Sequence, residues 1–312
     1  MEHYVTLFDS GFLPSGLCLH DSLMKYAGDF TLWIVCMDQK VEQQLVNLKL
    51  SNVKLIALES IENERLLSVK STRTKGEYCW TMTPFVAESV FTLAPEAQRV
   101  TYLDADLFFF DSPTPFFDEL EKSQKKVLIT EHAFAPEYAQ WEELSGKFCV
   151  QFLTFTNSIE SFQVMHWWQD ACIEWCYARI EKDRFGDQKY LNKWPQLFGK
   201  DVHVLKQKNR TLAPWNVSYY MEQQILKPVF YHFHSLRLVG EKAVRLYEGY
   251  KINRQSQLLY DSYIQVLEEQ LKALKSLGIN IPFFLETRTP LQLLRRIRDV
   301  CKKTVKYRLL KY

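Results

Sequence analysis

No two cysteines stand in a C-x-x-C pair in this 312-residue chain, although it holds seven. Their odd number and apolar settings, as in "WIVCMD" and "IEWCYA", argue against a disulfide scaffold. They read as reduced core thiols in a reducing compartment. Cys172 and Cys176, with His166 nearby, have a spacing that zinc can use. Between Ile173 and Trp175 the same spacing reads more simply as buried thiols on a helix. The opening, "MEHYVTLFD", has no basic, then apolar leader, and no apolar run approaches the ~20 residues that cross a bilayer. A cytoplasmic protein is expected. Internal repeats, low-complexity linkers and nucleic-acid motifs are also missing, so solenoids and nucleic-acid partners are not expected.

Aromatic residues, in contrast, are plentiful at 14%, which suits concave, ring-lined sites. The length fits one large domain, or a domain plus an appendage, with ample core. "HYVTLF", "FTLWIVCM" and "VKLIAL" read as strands. They alternate with helices in "SGLCLHDSLMKYA", where Ser15 is the expected N-cap, and in "QKVEQQLVNL". Such alternation indicates parallel βαβ units, and the unbroken hydrophobicity of "LWIVC" fits a sheet covered on both faces. "EYCWTMTPFVAESVFTL" reads as a helix around Pro84, "RVTYLDADLFFF" and "KKVLITEH" as strands, and "SFQVMHWWQDACIEWCYARIEK" as an apolar helix. "KFCVQFLTFTN" is a further strand of open register, and residues 257–277 form a charged amphipathic helix.

Two carboxylates stand out in the run "VTYLDADLFFF". An unpaired buried carboxylate costs several kcal/mol or becomes neutral. Asp104 and Asp106 therefore belong at a solvated strand end or beside a cation. Ligands of open α/β sheets collect at the carboxyl ends of strands. Residues i and i+2 of a strand share a face, so both carboxylates can reach one hard cation.

"YLDADLFFFDSPTPFFDEL" resembles the Asp-x-Asp segment of glycosyltransferases with the GT-A fold, in particular those of family 8. The resemblance runs over roughly residues 3–240. It implies an α/β fold of Rossmann-like type with a mostly parallel central sheet. The implied activity is transfer of a sugar from a nucleotide-sugar, with a UDP-sugar as the expected donor, and with retention of configuration. The implied cofactor is Mn²⁺ or Mg²⁺, with Asp104 on ribose and metal and Asp106 on the metal. "GDQKYLNKWP" is similar to the family's Asp-Gln-Asp-x-Leu-Asn stretch, with Lys189 in place of its third residue. It implies Asp187 and Gln188 at the reacting centre; taken alone, Asp187 reads first as a helix N-cap, and the two roles can coexist. "FYHFHSLR" resembles the family's His-x-x-Gly stretch with Ser235 at the glycine. It implies His232 as the third metal ligand, or His234 if both share a strand face, and Arg237 near the diphosphate.

Asp9, in the loop "TLFDSGF", stands where the family binds base and ribose, or else caps the next turn. Lys75 is expected near the diphosphate or in solvent, as are Lys70 and Arg73. Cys149-Val150-Gln151 replaces the family's Asn-Ser-Gly. Trp215 and Asn216 line either an acceptor cleft or the core. The style is that of bacterial enzymes that build lipopolysaccharide or capsule, with a glycan or lipid-linked acceptor. Two rivals stay open: a nucleotidyltransferase, for which "FDSGFLPSG" is a poor phosphate loop, and a non-catalytic sugar- or lipid-surface binding protein.

Residues 286–312 hold nine Lys or Arg against two acids, a net +7 in a chain whose total is +2. They are expected to form a basic tail behind a domain of residues 1–285. Leu291, Leu294, Ile297, Val300, Cys301, Val305 and Leu309 fall near helical spacing. That pattern suits a helix lying on the anionic inner face of the membrane, or one docked on the domain.

Overall fold

The computed structural model describes residues 1–223, 227–284, 299–300 and 302–312. Its frame is a seven-stranded sheet. In chain order the sheet uses β1 (Glu2–Phe8), β2 (Phe30–Cys36), β3 (Val53–Ala57), β4 (Arg99–Leu103), β6 (Val127–Glu131), β7 (Phe148–Thr156) and β8 (Val202–Val204); β5 (Leu107–Phe109) belongs to a second sheet. The spatial order is β3-β2-β1-β4-β7-β6-β8. Strands β1 to β4 run parallel, with Glu2 opposite Phe30 and Val5 opposite Tyr102. Strand β7, whose register the sequence left open, is inserted antiparallel between β4 and β6, with Leu103 opposite Phe152. All seven residues of β2 are buried, as continuous hydrophobicity requires of a strand packed on both faces.

One face carries the helices Lys75–Leu93 and Ile159–Glu174 over a core that includes Met82, Val86, Leu153 and Trp168. The other carries Leu13–Tyr26, Gln39–Leu48 and Thr114–Ser123 over Tyr4, Leu17, Leu32 and Phe152. Pro84 sits inside the helix Lys75–Leu93, which opens with a capping box of Thr74 and Glu77. The first helix begins at Leu13 with Pro14 in its first turn, so Ser15 is not its N-cap. The apolar helix stops at Glu174, where Trp175 turns extended. Cys172 and Cys176 are free, buried thiols, and His166 pairs instead with Glu88 at 3.0 Å.

Two small sheets complete the fold. In one, β10 (Phe230–His232) pairs antiparallel with β5 and parallel with β9 (Thr211–Leu212), placing His232 opposite Leu107. In the other, β12 (Ala243–Glu248) lies between β11 (Arg237–Gly240) and β13 (Val305–Leu309), under the helix Arg254–Ser276. The helix expected to run to Leu309 is therefore a strand at Val305–Leu309; residues 285–298 and 301 of that expectation are outside the described residues. Val305 is buried against this sheet, while Lys306, Tyr307 and Leu309 are exposed, as on an edge strand. Its cations are engaged: Arg308 pairs with Asp261, and Lys306 reaches Gln257. Among the described residues no helix is long and apolar enough to cross a membrane.

Candidate active site

The chain does not run on as one strand through Asp104 and Asp106. Strand β4 ends at Leu103 and β5 starts at Leu107, so Asp104-Ala105-Asp106 is a turn, closed by the Leu107 N–H donating to the Asp104 carbonyl at 3.1 Å. The shared strand face expected for the two carboxylates is replaced by this turn. It still brings them together, because the antiparallel pairing of β10 with β5 lays His232 alongside. The Phe233 N–H donates to the Asp106 carbonyl at 2.9 Å, which locks that register.

His232 Nε2 stands 3.0 Å from Asp106 Oδ1 and 3.7 Å from Asp104 Oδ2. Each of the three residues offers a ligand atom, all within 4.8 Å of one another, and no other such group occurs among the described residues. Two carboxylates and one imidazole suit a divalent ion such as Mn²⁺ or Mg²⁺. The electrostatics are those of a site awaiting positive charge. Desolvation deep in the site, with Asp106 adding and His232 opposing, raises the Asp104 carboxyl above its usual range. Burial works in the same sense on Asp106, but His232 and Arg237 outweigh it and hold that carboxyl low. His232 is raised in spite of burial, chiefly by Asp106. Arg237, on β11, brings a guanidinium nitrogen to 3.9 Å from Asp106 and stacks on the Phe12 ring at 4.6 Å.

The second expected motif converges on the same place from the other side. Asp187 is buried, its carbonyl accepts from Trp168 Nε1 at 2.9 Å, and its side chain caps no helix: the following turn, Gln188–Lys193, is a 3₁₀ helix without a side-chain cap. Burial, then the nearby charge of Asp104, pushes the Asp187 carboxyl well above the usual range. Gln188 turns elsewhere. Its Nε2 donates to the Ser145 carbonyl at 2.8 Å, Lys189 Nζ donates to the Glu143 carbonyl at 2.9 Å, and the Lys147 N–H donates to Asn192 Oδ1 at 2.9 Å. These contacts fasten the short helix Trp141–Ser145 to the motif.

Other expected residues divide in the same way. His234 follows β10 in a turn, so it shares no strand face with His232; its exposed ring packs edge-on against His232 and Trp215, each at 5.6 Å. Trp215 is buried in that aromatic cluster, with its Nε1 on the His132 carbonyl at 2.7 Å. Asn216 is buried beside it. Asp9 Oδ1 accepts from the Gly11 and Phe12 amides at 2.9 and 3.2 Å, and its other oxygen meets Lys75 at 2.8 Å. Lys75 also meets Asp38 at 3.2 Å, so it bridges the two carboxylates that follow β1 and β2. Lys70 pairs with Glu62, and Arg73 stacks on Tyr177 at 4.0 Å.

Two participants were not anticipated. Tyr102 donates its hydroxyl to Asp104 Oδ1 at 2.9 Å, and Gln151 on β7 contacts His232 Nδ1 through Oε1 at 2.9 Å. Tyr102 is two residues before Asp104 in the motif and was legible there. Gln151 was visible merely as a departure from the family's glycine.

No family model matches the sequence. Two proteins of Bacillus subtilis (strain 168) do. The uncharacterized protein YfnD is 30% identical over 286 residues, which cover 88% of this chain and 91% of YfnD. The chain belongs to the YfnD family. A second member, the uncharacterized protein YfnF, is 30% identical over 257 residues, 78% of this chain and 84% of its own. Among solved structures, the apo-form glycosyltransferase GlyE of Streptococcus pneumoniae TIGR4 superposes with a TM-score of 0.51 over 90% of this chain and 65% of its own, at 14% identity. The galactosyltransferase LgtC, in complex with donor and acceptor sugar analogs, gives 0.51 over 94% and 99%, at 12% identity. At these identities the likeness is one of fold. This member of the YfnD family has the GT-A fold of those enzymes, a mixed α/β structure with a large, mostly parallel central sheet.

Proposed function

We propose that this YfnD-family protein is a metal-dependent glycosyltransferase that moves a sugar from a nucleotide-sugar, a UDP-sugar in the first instance, to a glycan or lipid-linked acceptor of the bacterial surface. The observation that carries the proposal is the convergence of Asp104, Asp106 and His232 within 4.8 Å at the carboxyl end of β4. These residues, drawn from two sheets, have donor chemistry that fits Mn²⁺ or Mg²⁺. Such an ion, when bound there, supplies the positive charge that a departing nucleoside diphosphate needs.

The chain's own residues do the rest. Asp104, Asp106 and His232 hold the ion, and Tyr102 fixes the orientation of Asp104. Arg237 adds a second cation beside Asp106 that serves the diphosphate. Asp187, neutral in its buried setting, presents a proton on its carboxyl near the sugar and donates a hydrogen bond there rather than acting as a nucleophile. Gln188 contributes by fixing the Trp141–Ser145 helix as a wall of the site. During transfer the acceptor hydroxyl forms the new bond to the anomeric carbon, the bond to the diphosphate oxygen breaks with its electron pair staying on that oxygen, and the hydroxyl proton passes to the departing diphosphate. Residues 1–285 form the catalytic domain, with 286–312 as an appendage whose last strand docks on it.

The test is a panel of nucleotide-sugars incubated with purified protein and Mn²⁺. Release of nucleoside diphosphate from at least one donor, abolished by EDTA, is expected. Release of pyrophosphate instead would mark a nucleotidyltransferase and overturn the reading, and so would silence across the panel.

A further inference from the structure

Gln151 is fully buried, yet its side-chain nitrogen has no partner among the described residues. Leaving half of a buried amide unpaired costs about 1–3 kcal/mol, which an apolar residue of similar size avoids. A role in packing therefore does not account for it. The other half of the amide is engaged: Oε1 lies 2.9 Å from His232 Nδ1. The same residue's carbonyl accepts the Asp104 N–H at 3.0 Å. Gln151 thus touches both sides of the triad, through its backbone to the aspartate turn and through its side chain to the histidine. Strand β7 runs antiparallel between β4 and β6, and Gln151 lies at the shift in its register against β6, where the bond from the Asp104 N–H holds its backbone.

An amide oxygen accepts and does not donate, so this contact keeps the proton on Nδ1. When a metal displaces the proton that Nε2 shares with Asp106 at 3.0 Å, the lone pair is then left on Nε2. We infer that Gln151 is a positioning residue that fixes the tautomer and ring orientation of His232, so that Nε2 faces the two aspartates ready to ligate a divalent cation. The inference rests on the metal-dependent reading given above. Partners of this kind on a ligating histidine typically govern metal affinity by roughly 10–100-fold.

The experiment is a Mn²⁺ titration followed by the EPR signal of the free ion, without donor, on the wild type, Asp106→Ala, Gln151→Met and Gln151→Glu. Gln151→Met keeps the volume and removes the acceptor; Gln151→Glu keeps an acceptor oxygen. Affinity should fall roughly 10–100-fold in Gln151→Met and stay within about threefold, or tighten, in Gln151→Glu. Imidazole ¹⁵N spectra of the metal-free protein, recorded at a pH high enough to deprotonate His232, should show its remaining proton on Nδ1 in the wild type and in Gln151→Glu, and a shift towards the other tautomer in Gln151→Met. If Asp106→Ala loses the ion while Gln151→Met keeps it, or if the tautomer is the same in all variants, the inference fails and the metal reading stands. If the wild type binds no Mn²⁺, both fail.

Discussion

The two corners of the site use similar residues to opposite ends. At the Asp106 corner, an imidazole at 3.0 Å and a guanidinium at 3.9 Å keep a buried carboxyl ionised. At the Asp187 corner, burial and a neighbouring carboxylate push another carboxyl towards its protonated form. One fold therefore drives the proton affinities of two acids in opposite directions, and environment alone sorts them. The corners also differ in what surrounds the acid. Beside Asp106 the polar groups point at each other and leave room for an ion, whereas beside Asp187 the polar groups of Gln188, Lys189 and Asn192 are committed to holding a neighbouring helix.

The largest expected effect tests the charged corner. Asp106→Ala should lower sugar transfer by about 10³-fold or more, the scale of losing preorganised electrostatic stabilisation, while the thermal melt stays cooperative. A transfer rate near that of the wild type would erase the distinction between the corners. The neutral corner is tested by Asp187→Asn. The folded state keeps a proton on Asp187 that the unfolded chain gives up above about pH 3.9. Wild-type stability is therefore lost as pH rises from there towards the raised folded value, at up to about 1.4 kcal/mol per pH unit. The Asn variant removes this slope, so in urea melts its stability relative to the wild type should increase from pH 5 to pH 8. A difference that does not change with pH would place a charge on Asp187 and merge the two corners.

Gln188→Ala sharpens the contrast between reacting and fastening groups. Loss of its bond to the Ser145 carbonyl should cost about 1 kcal/mol and speed amide exchange across residues 141–147. Unaltered exchange there would argue that Gln188 serves the reacting centre directly. Arg308→Ala, outside both corners, sets the baseline: an exposed pair with Asp261 is worth about 0.2–1 kcal/mol, read from the midpoint of a urea melt.

The sequence was most informative where local pattern and tertiary role coincide. Strands β1 to β3 and their helices follow from continuous apolar runs between capped helices. The aspartates were found because charges inside "VTYLDADLFFF" demand an explanation. What stayed hidden depended on contacts distant in the chain. The turn between β4 and β5 exists because β10 pairs with β5, across more than a hundred residues, and no periodicity in the motif announces it. That pairing also separates His232 from His234, which two-residue spacing had made equivalent. At the C-terminus the apolar positions fit a helix, yet Val305–Leu309 meets the open edge of β12 and becomes a strand. An unpaired edge overrides a short helical pattern because it supplies a row of backbone partners. The loop role of Gln188 was invisible for a related reason: its partner, the Ser145 carbonyl, is a backbone atom and has no sequence signature.

The decisive measurement is an anomalous difference map at the manganese absorption edge from crystals soaked in MnCl₂ and UDP. A single strong peak coordinated by Asp104, Asp106 and His232, with the diphosphate on the side of Arg237, is the expected result. Manganese bound elsewhere, or a nucleotide that ignores the triad, would contradict it.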